Sequence, residues 1–237
     1  MDDGNQKVVL LTEPNPEIVE FSNSLQEMHE LASNSLVEVM TAFEDFDFEL
    51  AEGIEDKLEN LEQMAFQMEE SMILQLADKL KSIEDLKFLT VYLQTSNHLL
   101  RVGEYASKIA RIVLLCDGMD HFKELESLPY LAELAKSTLD ISINALLKGD
   151  FSEINELEKL EAEADRETSE MFEEITDYLR SERDIGTMAM YYVIVGRYCE
   201  RAADEALAIA QKAYYLHTGV RKKLGLEYRY GDSEAPH

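Results

Sequence analysis

The chain has little of several things, and each shortage narrows what it can be. Ten glycines and four prolines in 237 residues are few, and Ala, Leu, Glu, Met and Lys dominate, which is the composition of helices. The only cysteines, Cys116 and Cys199, stand at no metal-ligand spacing and are too sparse for a disulfide framework, so a reducing cytosol is expected. Lys and Arg number 22 against 49 Asp and Glu, a net charge of −27. That excludes a phosphate-backbone partner such as DNA or RNA, which is bound by neutralising phosphates, and disfavours anionic lipid. It suits a chain that meets a basic surface, collects cations or lives in a salty cytoplasm. No stretch approaches the roughly 20 apolar residues that span a bilayer. The N-terminus, Met1-Asp2-Asp3-Gly4, is acidic where a signal peptide would be basic. There is no phosphate-cradling glycine loop and no Ser/His/Asp or Cys/His arrangement with a recognisable local context. A cytoplasmic protein is expected, with no membrane insertion, no nucleic-acid partner and no enzymatic activity.

What is present is a duplication. Glu30-Leu31-Ala32 returns as Glu133-Leu134-Ala135, followed in register by Leu36/Leu139, Ala42/Ala145, Asp47/Asp150, Phe48/Phe151 and Glu55/Glu158, an offset of 103 residues. Further along the offset is 100: Arg101/Arg201, Ala106/Ala206, Ile109/Ile209 and Ala110/Ala210. The second copy has lost three residues between its middle and last segments, where a loop tolerates loss.

Six long helical patterns are separated by turn signals. Helices are expected over about 17–43, then, after a turn marked by Asp45 and Asp47, to about Lys81, and from Ile83, capped by Ser82 with Glu84 and Asp85 in the first turn, to near Asp117-Gly118. The second unit repeats the plan over roughly 128–147, 151–180 and 183–217, with breaks at Lys148-Gly149-Asp150 and Ser181 and an end at Thr218-Gly219. Helices of about 30 residues joined by short turns pack antiparallel. The fold class is therefore all-α, a tandem duplication of an antiparallel three-helix bundle: a polar lead over 1–16, a first bundle over 17–120, a second over 121–220 and a C-terminal tail over 221–237, loose from Leu226. On the last helix of each unit a core stripe runs through Tyr191, Val195, Tyr198, Ala202, Ala206 and Ile209, matched by Val91, Thr95, His98, Val102, Ala106, Ile109 and Val113. Glu200, Asp204, Leu100 and Glu104 fall on the opposite side, so these carboxylates are expected to face away from the core.

The run from Gly196 to Ala210, with Glu200-Arg201-Ala202-Ala203-Asp204-Glu205-Ala206-Leu207-Ala208-Ile209-Ala210 at its centre, resembles the signature helix of the PhoU family of phosphate-signalling proteins. A weaker copy runs from Arg101 to Ala110, and Ser82-Ile83-Glu84-Asp85-Leu86-Lys87 is similar to the Asp-Leu-Arg that opens the family's third helix. The resemblance covers about residues 17–220. It implies two three-helix bundles and a role in restraining phosphate uptake and phosphate-starvation signalling, by binding a phosphate-transporter ATPase subunit, a sensor histidine kinase, or both. It also implies metal on the surface of the second and third helices, held in some members by Glu/Asp-x-x-x-Asp pairs. A homodimer is left open.

The two units differ at those pairs. The second carries Glu161 and Asp165 where the first has Leu58 and Glu62, and Glu200 and Asp204 where the first has Leu100 and Glu104. Carboxylates at i and i+4 lie about 6 Å apart and repel unless a cation sits between them. All-oxygen donors suit magnesium, manganese or iron, and the resemblance adds zinc. The expected metal site is therefore Glu161, Asp165, Glu200 and Asp204, with Glu62 and Glu104 the weaker remnant in the first bundle. The competing reading is a salt-bridge ladder in which Arg197 and Arg201 neutralise Glu200 and Asp204, at about 0.3–0.5 kcal/mol per pair. The leucines of the first unit read as an apolar contact patch. His98 reads as a satisfied core histidine, and Met28, Met40, Met64, Met68 and Met72 as core filling. Two other functions are carried: an accessory regulator of a potassium channel or low-affinity phosphate permease, and, last, a carboxylate-bridged metalloenzyme, which would need inward-facing Glu-x-x-His motifs that are not present.

Overall fold

The computed structural model describes residues 16–79, 82–181 and 184–225. The expected polar lead and the loose end of the tail lie almost wholly outside them. Six helices follow in order: α1 (Pro16–Asp45), α2 (Phe48–Lys79), α3 (Ile83–Leu114), α4 (Ser127–Lys148), α5 (Ile154–Ser181) and α6 (Gly186–Thr218). Helices α1, α2 and α3 pack on one another, as do α4, α5 and α6, and the two bundles are joined by α1 against α4 and α3 against α6.

The duplication is visible in the packing. Helix α1 buries Leu25, Met28, Ala32, Leu36, Met40 and Phe43, and the residues 103 further on, Leu128, Leu131, Ala135, Leu139, Ile143 and Leu146, are the buried face of α4. Their i, i+3, i+4 spacing keeps one stripe on one side of each helix, and each large side chain fully removed from water contributes about 1.5–3 kcal/mol. The helix starts follow local chemistry. Ser82 Oγ accepts from the Asp85 N–H at 3.1 Å, and Asp47 Oδ1 accepts from the Leu50 N–H at 2.9 Å.

The turn after the first helix enters the left-handed region at the same position in both units, although it is longer in the second. Gly149 closes α4 in the left-handed region at φ 67°, and the equivalent position after α1 is Phe46, a non-glycine residue at φ 51°. A histidine supports each. His217 Nε2 donates to the Leu146 carbonyl at 2.8 Å, and a side chain at Gly149 would meet the His217 ring at 3.1 Å. His121 stacks on Phe46 with ring centroids 4.1 Å apart, and its Nε2 donates to the carbonyls of Phe43 and Glu44 at 3.1 Å each. That fixes the tautomer, leaving Nδ1 to accept from the buried Tyr192 hydroxyl at 2.8 Å. The segment joining the bundles is thus tied to both.

Beyond Gly219, the chain turns back along the second bundle. Leu224 is 4% exposed and packs with Leu157, Leu207 and Ala210 in a small cluster apart from the main core. The first residues of the expected tail, 221–225, therefore form a strap over α5 and α6.

Candidate functional site

The motif carboxylates occupy two different settings. Asp165 on α5 and Glu200 and Asp204 on α6 are half-buried and close enough to act on one another. Burial pushes the Glu200 carboxyl up. Arg197, its ion-pair partner, pulls it down, and the charges of Asp165 and Asp204 push it up again, leaving it above the ordinary carboxylate value. Glu161, one turn earlier on α5, is expected on the surface but is only 1% exposed. The strap is the reason. Its Gly225 N–H donates to Glu158 Oε1 at 2.8 Å, and a Cβ on Gly225 would lie 3.3 Å from Glu161 Oε2. Gly225 sits at φ 80°, so a side chain there would be strained as well as crowded. Of the four carboxylates expected at the surface, Glu161 is thus the one the strap covers, and Glu158 is buried beside it.

In the first unit Glu62 is exposed on α2, and Glu104 on α3 is half-buried and pairs with Lys108 at 3.5 Å. Leu58 turns toward α3, 3.5 Å from where a Cβ on Gly103 would stand, so at this position of the first unit a leucine packs on the third helix. Leu100 is partly buried against the main core. Among the described residues no three His, Cys, Asp or Glu side chains converge closely enough to hold a metal ion. Asp165, Glu200 and Asp204 nonetheless act on one another through their charges, and burial together with those neighbours holds the charged form of Glu200 at a cost.

The carboxylate that reading the chain missed is Glu205. It is 8% exposed and stands between the bundles, where His98 Nδ1 of α3 donates to Oε2 at 2.5 Å, the Tyr105 hydroxyl donates to Oε1 at 3.2 Å and Arg101 Nη1 lies 3.5 Å away. A signal existed: Glu205 is seven residues after Tyr198 and three after Ala202, on the core stripe itself. His29 of α1 makes the parallel contact on the other pair of joining helices, donating from Nε2 to Asp140 Oδ1 of α4 at 2.8 Å. The remaining candidates are structural. Met28, Met40, Met68 and Met72 are buried in the core, with Met64 partly so. Both cysteines are buried, which pushes the Cys116 thiol up to about 11 and the Cys199 thiol up to about 12.

Two tandem three-helix bundles, joined side by side, with acidic pairs on the middle and last helices of the second, define an all-helical duplicated scaffold. No helix among the described residues is long and apolar enough to cross a membrane. The PhoU domain model matches this chain twice, over residues 25–113 and 128–213, once per bundle. The chain belongs to the PhoU family. It is 22% identical over 212 residues to a phosphate-specific transport system accessory protein PhoU homolog of Clostridium acetobutylicum, covering 86% of this chain and 97% of that one. It is 22% identical over 205 residues to the phosphate-specific transport system accessory protein PhoU of Escherichia coli, covering 86% and 85%. In fold it is similar to the crystal structure of the phosphate transport system regulatory protein PhoU from Streptococcus pneumoniae, with a TM-score of 0.79 at 23% identity over 88% of this chain and 99% of that one. The crystal structure of PhoU from Pseudomonas aeruginosa is similar at a TM-score of 0.81 and 21% identity, over 87% and 99%.

Proposed function

We propose that this chain is an accessory regulator of phosphate uptake, acting in the cytoplasm by binding a phosphate-transporter ATPase subunit, a sensor histidine kinase, or both. The observation that carries it is the double family match, in register with both bundles and spanning nearly the whole length of relatives named for phosphate-specific transport. The charge supports docking on a basic partner face, and such binding weakens with salt. Two apolar side chains of α2 in the first bundle, Ile73 and Leu74, are exposed and available to the same contact.

The test is an affinity purification of the protein from its own cells, grown phosphate-rich and then phosphate-starved, with partners identified by mass spectrometry. Phosphate-dependent recovery of a transporter ATPase or sensor kinase is expected. Recovery of a potassium channel or another permease instead would remove the phosphate assignment and keep the fold.

Metal is a further part of the reading. Asp165, Glu200 and Asp204 are the half-buried donors, with Glu161 behind the strap; the Glu200 carboxyl is raised by burial first and by the charges of Asp165 and Asp204 second, and a bound cation would offset both. Metal analysis of tag-free protein is expected to find iron, zinc, magnesium or manganese in amounts that fall when Asp165→Ala and Asp204→Ala are combined. Occupancy that survives both substitutions would rule these residues out.

A further inference from the structure

The chain has more than twice as many acidic as basic residues, yet the charged side chains lining one groove are all cationic. It has a volume of about 670 Å³ and lies where the start of α3, the end of α6 and the strap meet. Its charged lining is Lys87, Lys212, Arg221, Lys222 and Lys223, and no Asp or Glu lines it. Among the described residues none of these five joins an ion pair. Instead three of them lie against aromatic rings, Lys87 Nζ and the Arg221 guanidinium 5.3 and 5.6 Å from the Tyr215 centroid and Lys222 Nζ 5.9 Å from that of Tyr214. Rings of this kind hold cations in place without neutralising them.

Two further features describe the occupant. The groove is of the size that takes small organic ligands, and its other walls are apolar or neutral: Ile83 and Leu86 are 78% and 46% exposed, and Gln94 and Gln211 supply amide donors and acceptors. The cations favour an anion with several charges. Lysines act as point charges for phosphate and arginine adds a two-pronged contact. The apolar wall and Tyr215 favour a ligand with an aromatic body.

We propose that this groove is a binding site for an organic polyphosphate of nucleotide size, with the phosphates on Lys87 and the strap cations and the aromatic body against Ile83, Leu86 and Tyr215. The net charge of −27 disfavours such an anion in general, so its binding depends on this local cluster of cations. The strap supplies three of the five cations, and Leu224 anchors it, so the site exists only while the strap is seated. The assignment stands apart from the phosphate-transport reading.

The test is isothermal titration of the full chain with ATP, inorganic tripolyphosphate and inorganic phosphate, each in EDTA. ATP is expected to bind with a Kd in the micromolar range, at about −8 kcal/mol for 1 μM, and to weaken with salt. Lys222→Gln combined with Lys223→Gln, both on the exposed strap, is expected to weaken ATP at least tenfold, about 1.4 kcal/mol, with an unchanged melting temperature. Tripolyphosphate is expected to bind more weakly than ATP, and Tyr215→Ala to abolish that difference. Absence of ATP binding at about 1 mM, or equal binding by the double variant, would overturn the site. Equal affinity for tripolyphosphate and ATP would overturn the aromatic body, and so the class of ligand proposed.

Discussion

His98 of α3 and Glu205 of α6 meet across the two bundles at 2.5 Å, and the same two positions with the copies exchanged, Tyr198 of α6 and Tyr105 of α3, stack at 5.8 Å with their rings 18° apart. At the offset of 100, position 98 corresponds to 198 and position 105 to 205. The contact between the bundles is therefore isologous, as in a twofold dimer, with each patch facing its own copy. Divergence has placed a charged hydrogen bond at one end of it and an aromatic pair, with Lys108 over both rings, at the other. A joint of this kind holds the bundles in one arrangement, and its charged half titrates.

For Glu205, burial pushes the carboxyl up, but the His98 hydrogen bond and charge, the Arg101 charge and the Tyr105 hydroxyl outweigh it and hold it below its ordinary 4.5. A depressed folded value means that the contact contributes stability above about pH 4.5, and that the contribution is lost as pH falls through the folded value. Glu205→Gln is expected to cost about 1.5–3 kcal/mol at neutral pH, the worth of hydrogen bonds to a charged group, and to flatten the acid limb of stability below 4.5. Urea denaturation from pH 3 to 7 reads both. An acid limb as steep in the variant as in the parent would remove Glu205 from the joint's energetics.

Glu200 has the opposite sign. Its raised carboxyl favours the protonated form, so its contribution is full below 4.5 and is lost as pH rises through the folded value. At neutral pH in EDTA, Glu200→Gln is expected to stabilise the chain by roughly 0.2–0.5 kcal/mol, by removing a half-buried charge and, with it, the repulsion from Asp165 and from Asp204 at i+4. Adding manganese is expected to stabilise the parent more than the variant. A variant less stable than the parent in EDTA would mean that the Arg197 pair, and not the repulsion, decides this position.

The elements of this fold are legible in the chain because each is specified locally and twice. The stripe Leu25 to Phe43 and its copy Leu128 to Leu146 announce both the helices and the duplication, and Ser82 announces the start of α3. Helix α5 begins at Ile154 and not at Phe151, because Phe151 is used in the turn, its ring edge-on to Tyr214 and His217. The site is less legible. Glu205 lies on a core stripe that small alanines dominate, and only the histidine of another helix explains it. Leu224 follows Arg221-Lys222-Lys223 with no periodicity, so nothing local marks it as buried. The cationic groove joins Lys87 to residues more than 100 positions away, and a net charge of −27 conceals it.

The strap rests on Leu224 and Gly225. Leu224→Ala is expected to cost about 2 kcal/mol, the low end for a buried leucine because the cluster is small and at an edge. It is also expected to open the 219–225 segment to limited proteolysis before the helices are cut. Gly225→Ala, at φ 80° with Leu207 Cδ2 2.8 Å from the new Cβ, is expected to release the strap as well. Protection equal to that of the parent in both variants would show that the strap is held elsewhere.

His121 carries the most concentrated set of contacts between the bundles, and its tautomer makes a sharp test possible. His121→Phe keeps the ring over Phe46 but removes the donor to the Phe43 and Glu44 carbonyls and the acceptor for Tyr192. The hydroxyl of Tyr192, a side chain with no exposure, is then buried without its partner, which costs about 1–3 kcal/mol. Tyr192→Phe alone leaves His121 Nδ1 unpaired in turn. When both are changed, the unpaired groups vanish together, so the double variant is expected to be less destabilised than the sum of the two, with a coupling of about 0.5–3 kcal/mol. The singles and the double, measured by denaturation at pH 7, close the cycle. Simple additivity would mean that His121 acts through Phe46 and the α1 carbonyls alone, and that the second bundle is joined to the first chiefly by its helix faces.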